Sequence, residues 1–312
     1  MIKTVAIIGM GALGLDFGEP IAEYLGADNM AFVMDQDRLD KHKDDVYTIN
    51  GKEVKFRMIS DQDAQPADLV LVGVKYPALS QALETMASSV GENTTIISMM
   101  NGVDSEQIIA ERFGADKVLY EVSQEMDAQR YGTDLKFTKR GRLYVGVPSG
   151  LDENTTKVLT QKLDDVCAFF DQADVPYVRE EDILYRQWSK FMLNVGCNQI
   201  CMVYDQGYGK CMENGSEAYA MMTGAMREVC ALAQASGIAV GEKEVAQYLN
   251  ILRTLDPEAL PSMGQDRRQK NRSEVDMFAG TVIKLGEKLG IETPVNRFLL
   301  RRVREIEAAY TE

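Results

Sequence analysis

Lys190, Asn194 and Asn198 recur at intervals of four in the run Trp188-Ser189-Lys190-Phe191-Met192-Leu193-Asn194-Val195-Gly196-Cys197-Asn198. On an α-helix four residues advance only about 40° past a full turn, so the three side chains share one stripe. Their neighbours are apolar, whereas a solvated stripe normally mixes Glu, Lys and Gln. A lysine in line with two asparagines in such surroundings reads as the wall of a polar pocket. Burial lowers a lysine pKa toward neutrality, which makes Lys190 a candidate proton donor. The asparagine amides can bind a carboxylate or a carbonyl without bringing a competing charge. A structural polar stripe at a helix–helix contact would show the same pattern. A second group, Ser262-Met263-Gly264-Gln265-Asp266 and then Arg272-Ser273-Glu274, adds a hydroxyl and a carboxylate. Ser262 is a candidate N-cap for the helix that follows. Glu274 is expected about two turns inside that helix, where surface pairing with Arg272 or Lys270 is the competing reading.

A different chemistry stands near the start of the chain. The apolar run Val5-Ala6-Ile7-Ile8 leads straight into Gly9-Met10-Gly11-Ala12-Leu13-Gly14. This is G-x-G-x-x-G between an expected strand and a helix marked by Leu13, Phe17, Ile21 and Leu25. A dinucleotide site needs that order. The first glycine permits the tight turn, the second lets backbone approach a pyrophosphate, and the third lets helix and strand pack closely. Asp35 ends the second expected strand, about twenty residues further on, where an acid accepts hydrogen bonds from ribose hydroxyls and repels a 2′-phosphate. Arg38 and Lys41 follow it and could hold a phosphate instead. Lys75 and Asn101 each come just past the carboxyl end of an expected strand, the edge at which open α/β sheets bind ligands. Asn101-Gly102 is also an ordinary turn dipeptide.

These groups need a scaffold, and the chain's periodicity describes one. Apolar runs at 5–8, 31–34, 67–74, 94–100, 143–147 and 175–178 read as strands. Helical stretches at 79–90, 105–113 and 152–172 lie between them. Interleaved strands and helices imply an α/β, doubly wound parallel sheet. Beyond about residue 180 helical periodicity takes over, with helices expected at 183–203, 217–236, 243–252, 266–289 and 295–309. The expected organisation is a dinucleotide-binding domain over 1–180 and an all-helical substrate and catalytic domain over 181–312, packed around a cleft.

Bulk properties narrow the possibilities. A chain of 312 residues with 45% hydrophobic content can build two ordinary cores. A formal charge of −14 argues against nucleic acid as a partner, since neutralising phosphates needs a basic surface. No run reaches the ~18–20 apolar residues of a membrane span, and a cytoplasmic location is expected. Cys167, Cys197, Cys201, Cys211 and Cys230 form no C-x-x-C pair and read as reduced, buried thiols. No metal site is expected. The single histidine, His42, lies in the charged stretch Asp35–Asp45, read as a solvated loop, so histidine-based mechanisms are disfavoured.

Taken together and in order, these residues give the chain a resemblance to the ketopantoate reductase (2-dehydropantoate 2-reductase) family. The likeness runs nearly end to end. It rests on Gly9 to Gly14, Val74-Lys75, Asn101-Gly102, Trp188-Ser189-Lys190 with Asn194 and Asn198, Ser262 to Asp266, Arg272-Ser273-Glu274 and Pro294. The resemblance implies a Rossmann-type N-terminal domain, an all-α C-terminal domain and a homodimer. It also implies reduction of ketopantoate to pantoate with NADPH, on the route to pantothenate and coenzyme A. By the same resemblance Lys190 is the proton donor to the ketone oxygen, and Asn194, Asn198 and Ser262 bind substrate. Glu274 is the carboxylate at the substrate hydroxyl. Lys75 and Asn101 lie near the nicotinamide and the reacting centre. Two positions depart from the pattern. Many relatives carry arginine at the end of the second strand, where this chain has Asp35, which favours NADH. Asp104 replaces a small residue after Asn-Gly. Reduction of another 2-keto acid, or a non-catalytic dinucleotide sensor, are the alternative readings.

Overall fold

A computed structural model describes residues 1–311. The chain divides into two compact units, Met1–Ile183 and Leu184–Glu312. In chain order the strands of the first unit are β1 (Val5–Ile8), β2 (Met30–Met34), β3 (Tyr47–Ile49), β4 (Lys52–Val54), β5 (Met58–Ser60) and β6 (Leu69–Val72). They continue with β7 (Thr95–Ser98), β8 (Val118–Gln124), β9 (Gln129–Tyr131), β10 (Asp134–Lys136), β11 (Arg142–Gly146) and β12 (Tyr177–Arg179). Its helices are α1 (Ala12–Leu25), α2 (Gln36–His42), α3 (Leu79–Met86), α4 (Ser105–Phe113) and α5 (Glu153–Gln172).

The main sheet has the order β12-β11-β8-β7-β6-β1-β2-β5. β1 pairs in parallel on both sides, Val5 standing opposite Met30 and Leu69. The chain runs outward from β1 through β2 to β5, then restarts at β6 on the other side of β1. That reversal creates a crevice at the carboxyl ends of β1 and β6, the position where such sheets bind ligands. The sheet is mixed, because β11 runs antiparallel to β8.

The apolar strand runs follow from burial on both faces. Val5 and Ile7 join Phe32, Leu69, Leu71 and Ile97 in a core closed by α1 and α5. Ala6 and Ile8 join Val33, Val70, Val72 and Ile96 in a second core under α3 and α4. α5 starts where Asp152 Oδ1 accepts from the backbone N–H of Asn154 and Thr155, both at 3.0 Å.

Several features of this unit differ from the sequence expectation, among them the short edge strand β5, which carries no recognised apolar run. β8 is an added strand in a stretch with no recognised apolar run. The segment read as a charged loop folds as α2, with His42 at its end and its Nδ1 2.8 Å from Asp45 Oδ2. Finally, β4-β3-β10-β9 form a small second sheet. Its strands are three residues each, and β4 and β9 are largely exposed, so they are too short and too polar for periodicity to reveal. Tyr47, Ile49 and Leu135 anchor it in the same core as Phe17 and Ile21 of α1. Arg140 adds ion pairs to two acids of α1, Asp16 at 3.1 Å and Glu19 at 2.5 Å.

The second unit is helical: α6 (Ile183–Tyr204), α7 (Tyr208–Cys211), α8 (Glu217–Ala235), α9 (Glu242–Leu252), α10 (Ser262–Gln269), α11 (Thr281–Leu289) and α12 (Pro294–Ala308). The single helix expected over 266–289 is not continuous. Lys270 takes a left-handed conformation (φ 56°) and ends α10. A π-helical turn, Asp276–Gly280, then leads into α11. The intervening stretch is polar and is held by α12 instead of by its own helical hydrogen bonds. All five cysteines are buried free thiols. Among the described residues no helix is long and apolar enough to cross a membrane.

Candidate active site

The glycine-rich turn joins β1 to α1. Gly9 has φ +102°, and a Cβ there would lie 2.5 Å from the Gly73 carbonyl oxygen. A Cβ on Gly14 would lie 2.1 Å from the Gly9 carbonyl oxygen. Both positions therefore admit only glycine. Gly11 is less crowded, at 3.3 Å from the Gly73 oxygen. It serves as the N-cap of α1, and no side chain caps that helix. Met10, Ala12 and Leu13 complete the turn and are half-buried. Bare backbone at a helix N-terminus, with no Cβ in the way, fits a dinucleotide pyrophosphate.

One residue at this turn escaped the sequence analysis. Arg130, on β9, donates through Nη1 to the Met10 carbonyl and through Nε to the Gly132 carbonyl at 2.7 Å. A guanidinium so placed adds positive charge at the glycine turn. No local pattern marks it, because its position depends on the docking of the small sheet onto α1.

At the end of β2, Asp35 is half-buried and caps α2, its Oδ1 accepting from the Arg38 N–H at 2.9 Å. Its side chain makes no other hydrogen bond among the described residues, while its carbonyl accepts from the Leu39 N–H at 3.0 Å. Burial pushes the Tyr47 hydroxyl above its usual range, and the nearby Arg130 and Arg38 guanidinium groups pull it back. Acid and guanidinium groups thus share this end of the sheet.

Lys75 and Asn101 follow β6 and β7. Lys75 is exposed and precedes the 3-10 turn Tyr76–Ala78, which Pro77 shapes. Asn101 is half-buried. The two loops are tied together, since Tyr76 Oη donates to Asp104 Oδ2 at 2.9 Å. Asp104 therefore links the Lys75 loop to the Asn101 loop. The Asn101 loop is also closed at its base. Ser98 Oγ lies 2.9 Å from Ser105 Oγ, which donates to Glu106 Oε2 at 2.9 Å. Glu106 is fully buried, and burial raises its pKa to about 7.

In the second unit, α6 puts Lys190, Asn194 and Asn198 on one face. Asn198 is 5% exposed and is held in one orientation. Its Oδ1 accepts from Ser262 Oγ at 2.9 Å and from the Met263 N–H at 3.3 Å, and its Nδ2 faces Asn194 Oδ1 at 3.4 Å. Ser262 is not the N-cap expected from sequence. Pro261 occupies that position, and Ser262 directs its hydroxyl to Asn198 instead. Lys190 stands one turn before Asn194 and is half-buried. Glu274 does not lie inside a helix. It sits in the break between α10 and the π-helical turn, half-buried, where its carbonyl accepts from the N–H groups of Met277 and Phe278, each at 3.0 Å.

The structure joins Asn194, Asn198 and Ser262 in one hydrogen-bonded line. It joins the Lys75 and Asn101 loops through Tyr76 and Asp104. The glycine turn and Asp35 lie at the carboxyl ends of neighbouring strands.

Comparison with known proteins gives a consistent picture. The family model described as Ketopantoate reductase PanE/ApbA matches residues 5–150, and its C-terminal counterpart matches residues 182–307. The 2-dehydropantoate 2-reductase of Streptococcus pyogenes serotype M6 is 26% identical over 314 residues, covering 97% of this chain and 98% of that protein. A solved PanE/ApbA family ketopantoate reductase from Ralstonia eutropha JMP134 shares the fold with a TM-score of 0.82 at 23% identity, covering 99% and 100% of the two chains. The ternary structure of D-mandelate dehydrogenase with NADH and anilino(oxo)acetate is equally similar, with a TM-score of 0.81 at 21% identity, again covering 99% and 100%. At these identities the two solved structures establish the fold alone.

Proposed function

The chain belongs to the ketopantoate reductase family, and from that premise we propose that it reduces 2-dehydropantoate to pantoate, a step toward pantothenate and coenzyme A. The observation that carries the reading is the line Ser262–Asn198–Asn194, continued one turn along α6 by Lys190. A fixed set of neutral donors beside a cation suits a 2-keto acid, whose carboxylate and ketone both accept hydrogen bonds.

When bound, the reduced nicotinamide supplies the hydride that reaches the ketone carbon. Lys190 donates a proton to the ketone oxygen as negative charge develops there, so hydride and proton together yield the hydroxy acid. Asn194, Asn198 and Ser262 hold the substrate's polar groups. Glu274 accepts a hydrogen bond from the substrate hydroxyl. Gly9, Met10, Gly11, Ala12, Leu13 and Gly14 cradle the pyrophosphate through backbone N–H groups. Asp35 meets a ribose, and Lys75 and Asn101 serve the nicotinamide and the reacting centre. The family implies NADPH, while Asp35 favours NADH; Arg38 and Arg130 supply the positive charge a 2′-phosphate would need. A homodimer in the cytoplasm is part of the same reading.

A second substrate is favoured by one observation, the similarity in fold to a D-mandelate dehydrogenase. A reductase of a bulkier 2-keto acid would use the same polar residues. The test follows absorbance at 340 nm with purified protein, NADH or NADPH, and either ketopantoate or a phenyl-substituted 2-keto acid. Fastest oxidation with ketopantoate is the expected result. Faster oxidation with the phenyl acid would move the substrate assignment. Tight dinucleotide binding without oxidation of either would leave the sensor reading.

A further inference from the structure

Glu274 has an assigned task but no regular element of its own. It stands between the left-handed Lys270 that ends α10 and the π-helical turn that begins at Asp276. A carboxylate on such a segment needs an outside support if it is to meet a substrate hydroxyl in one geometry. α12 provides it. Glu307, near the end of that helix, is only 4% exposed. Its Oε1 accepts from both the Ser273 N–H at 2.8 Å and the Ser273 Oγ at 2.5 Å. Its Oε2 lies 3.5 Å from Arg272 Nη1. Three residues earlier on α12, Arg304 Nη2 donates to Asp276 Oδ1 at 2.7 Å. The helix therefore grips residues 272, 273 and 276, on both sides of Glu274. The π-helical turn closes the arrangement by donating to the Glu274 carbonyl.

Two donors of one serine converging on one buried carboxylate oxygen make a directional clamp. Hydrogen bonds to an ionised acceptor are short and strong, and a buried carboxylate without them would be costly. π-helical turns also recur where a side chain must be set for function. We propose that Glu307 is a positioning residue, which acts through Ser273 to fix the Glu274 carboxylate for the substrate hydroxyl. This rests on the role proposed for Glu274.

The test uses the full chain and a double-mutant cycle. Glu307→Ala and Ser273→Ala are each made alone and together with Glu274→Ala, and Glu307→Gln is made as the conservative change. Ser273→Ala removes one hydroxyl and keeps the experiment informative if Glu307→Ala does not fold. The expected result is a loss of kcat/KM for the keto acid of about 10- to 100-fold in Glu307→Ala, the scale of a misplaced group. Dinucleotide Kd should stay unchanged, and Glu307→Gln should restore most of the activity, because its amide oxygen still accepts from Ser273. In the Glu274→Ala background the loss should shrink to less than about 2-fold, because no carboxylate remains to be placed. An equal loss in both backgrounds, or none in either, would overturn the proposal while leaving the role of Glu274 intact. Full activity of Glu274→Ala would instead remove that role, and the proposal with it.

Discussion

Asn198 shows how one side chain can be read correctly for its place and only partly for its partners. Its spacing from Lys190 and Asn194 is visible in the sequence, because a fixed helical period needs no tertiary information. Its bonds to Ser262 and Met263 are not, since they depend on where α10 packs against α6. Ser262 illustrates the same limit. A serine before a helix reads as a cap on local grounds, yet its hydroxyl finds a partner 64 positions away. Arg130 lies further out of reach, its contact with Met10 spanning 120 positions. If its guanidinium faces the cofactor's phosphates, Arg130→Ala should weaken dinucleotide binding about 10-fold and reduce the salt dependence of Kd, as removing a charge-assisted contact does. Titration of the intrinsic dihydronicotinamide fluorescence at two ionic strengths checks this, and an unchanged Kd and salt slope would exclude the contact. Asp35 makes a separate prediction in the same assay. Asp35→Ala should weaken NADH relative to NADPH, with some stability lost through the cap of α2, worth about 1 kcal/mol. An unchanged ratio of the two Kd values would take Asp35 out of cofactor choice.

Among the elements, apolar runs with two buried faces were legible and segments held by polar contacts were not; β8 is buried as well but was missed, because Glu121, Ser123 and Gln124 interrupt its apolar run. β1, β2 and β6 are apolar throughout and β7 carries Ile96 and Ile97 at its centre, as suits strands covered by helices on both sides, so their runs stand out. The small sheet has no such runs and is missed. The break before Glu274 is missed for a related reason. Helices lie on either side of it, α10 before and the π-helical turn with α11 after, while the interruption comes from a left-handed Lys270 and from bonds to α12. α6 carries a further constraint at Gly196, between the two asparagines. A Cβ there would lie 2.5 Å from Met226 Cγ of α8. Glycine in a helix interior is unfavourable by roughly 0.5–1 kcal/mol relative to alanine, so the close approach of the two helices is what it permits. Gly196→Leu should overpack this crossing, lower stability by about 1–3 kcal/mol and raise KM for the keto acid by shifting Asn194 and Asn198. Thermal unfolding alongside steady-state kinetics checks both effects. Unchanged melting and KM would show that the crossing is loose.

For the molecule as a whole, the family assignment fits a chain whose acids outnumber its bases, because the anions it handles are met by local groups and not by net charge. Buried acids also give its stability a pH dependence. Burial raises Glu106 from 4.5 to about 7, against the hydrogen bonds that hold its charge. Burial likewise raises Asp16 from 3.8 to about 7, opposed by Arg140. Each folded group keeps a proton that the unfolded chain has already released, so stability falls as pH rises through that window, from about 4 to 7. Glu106→Gln should flatten part of that decline in melting temperature, and parallel slopes for the two proteins would show that Glu106 is not the source. The proposed reduction turns on Lys190 as proton donor. The direct test compares turnover of ketopantoate by the unaltered protein and by Lys190→Ala, with dinucleotide Kd measured beside it. A fall in kcat of about 10²- to 10⁴-fold with an unchanged Kd is predicted. Near-normal turnover in Lys190→Ala would contradict this role.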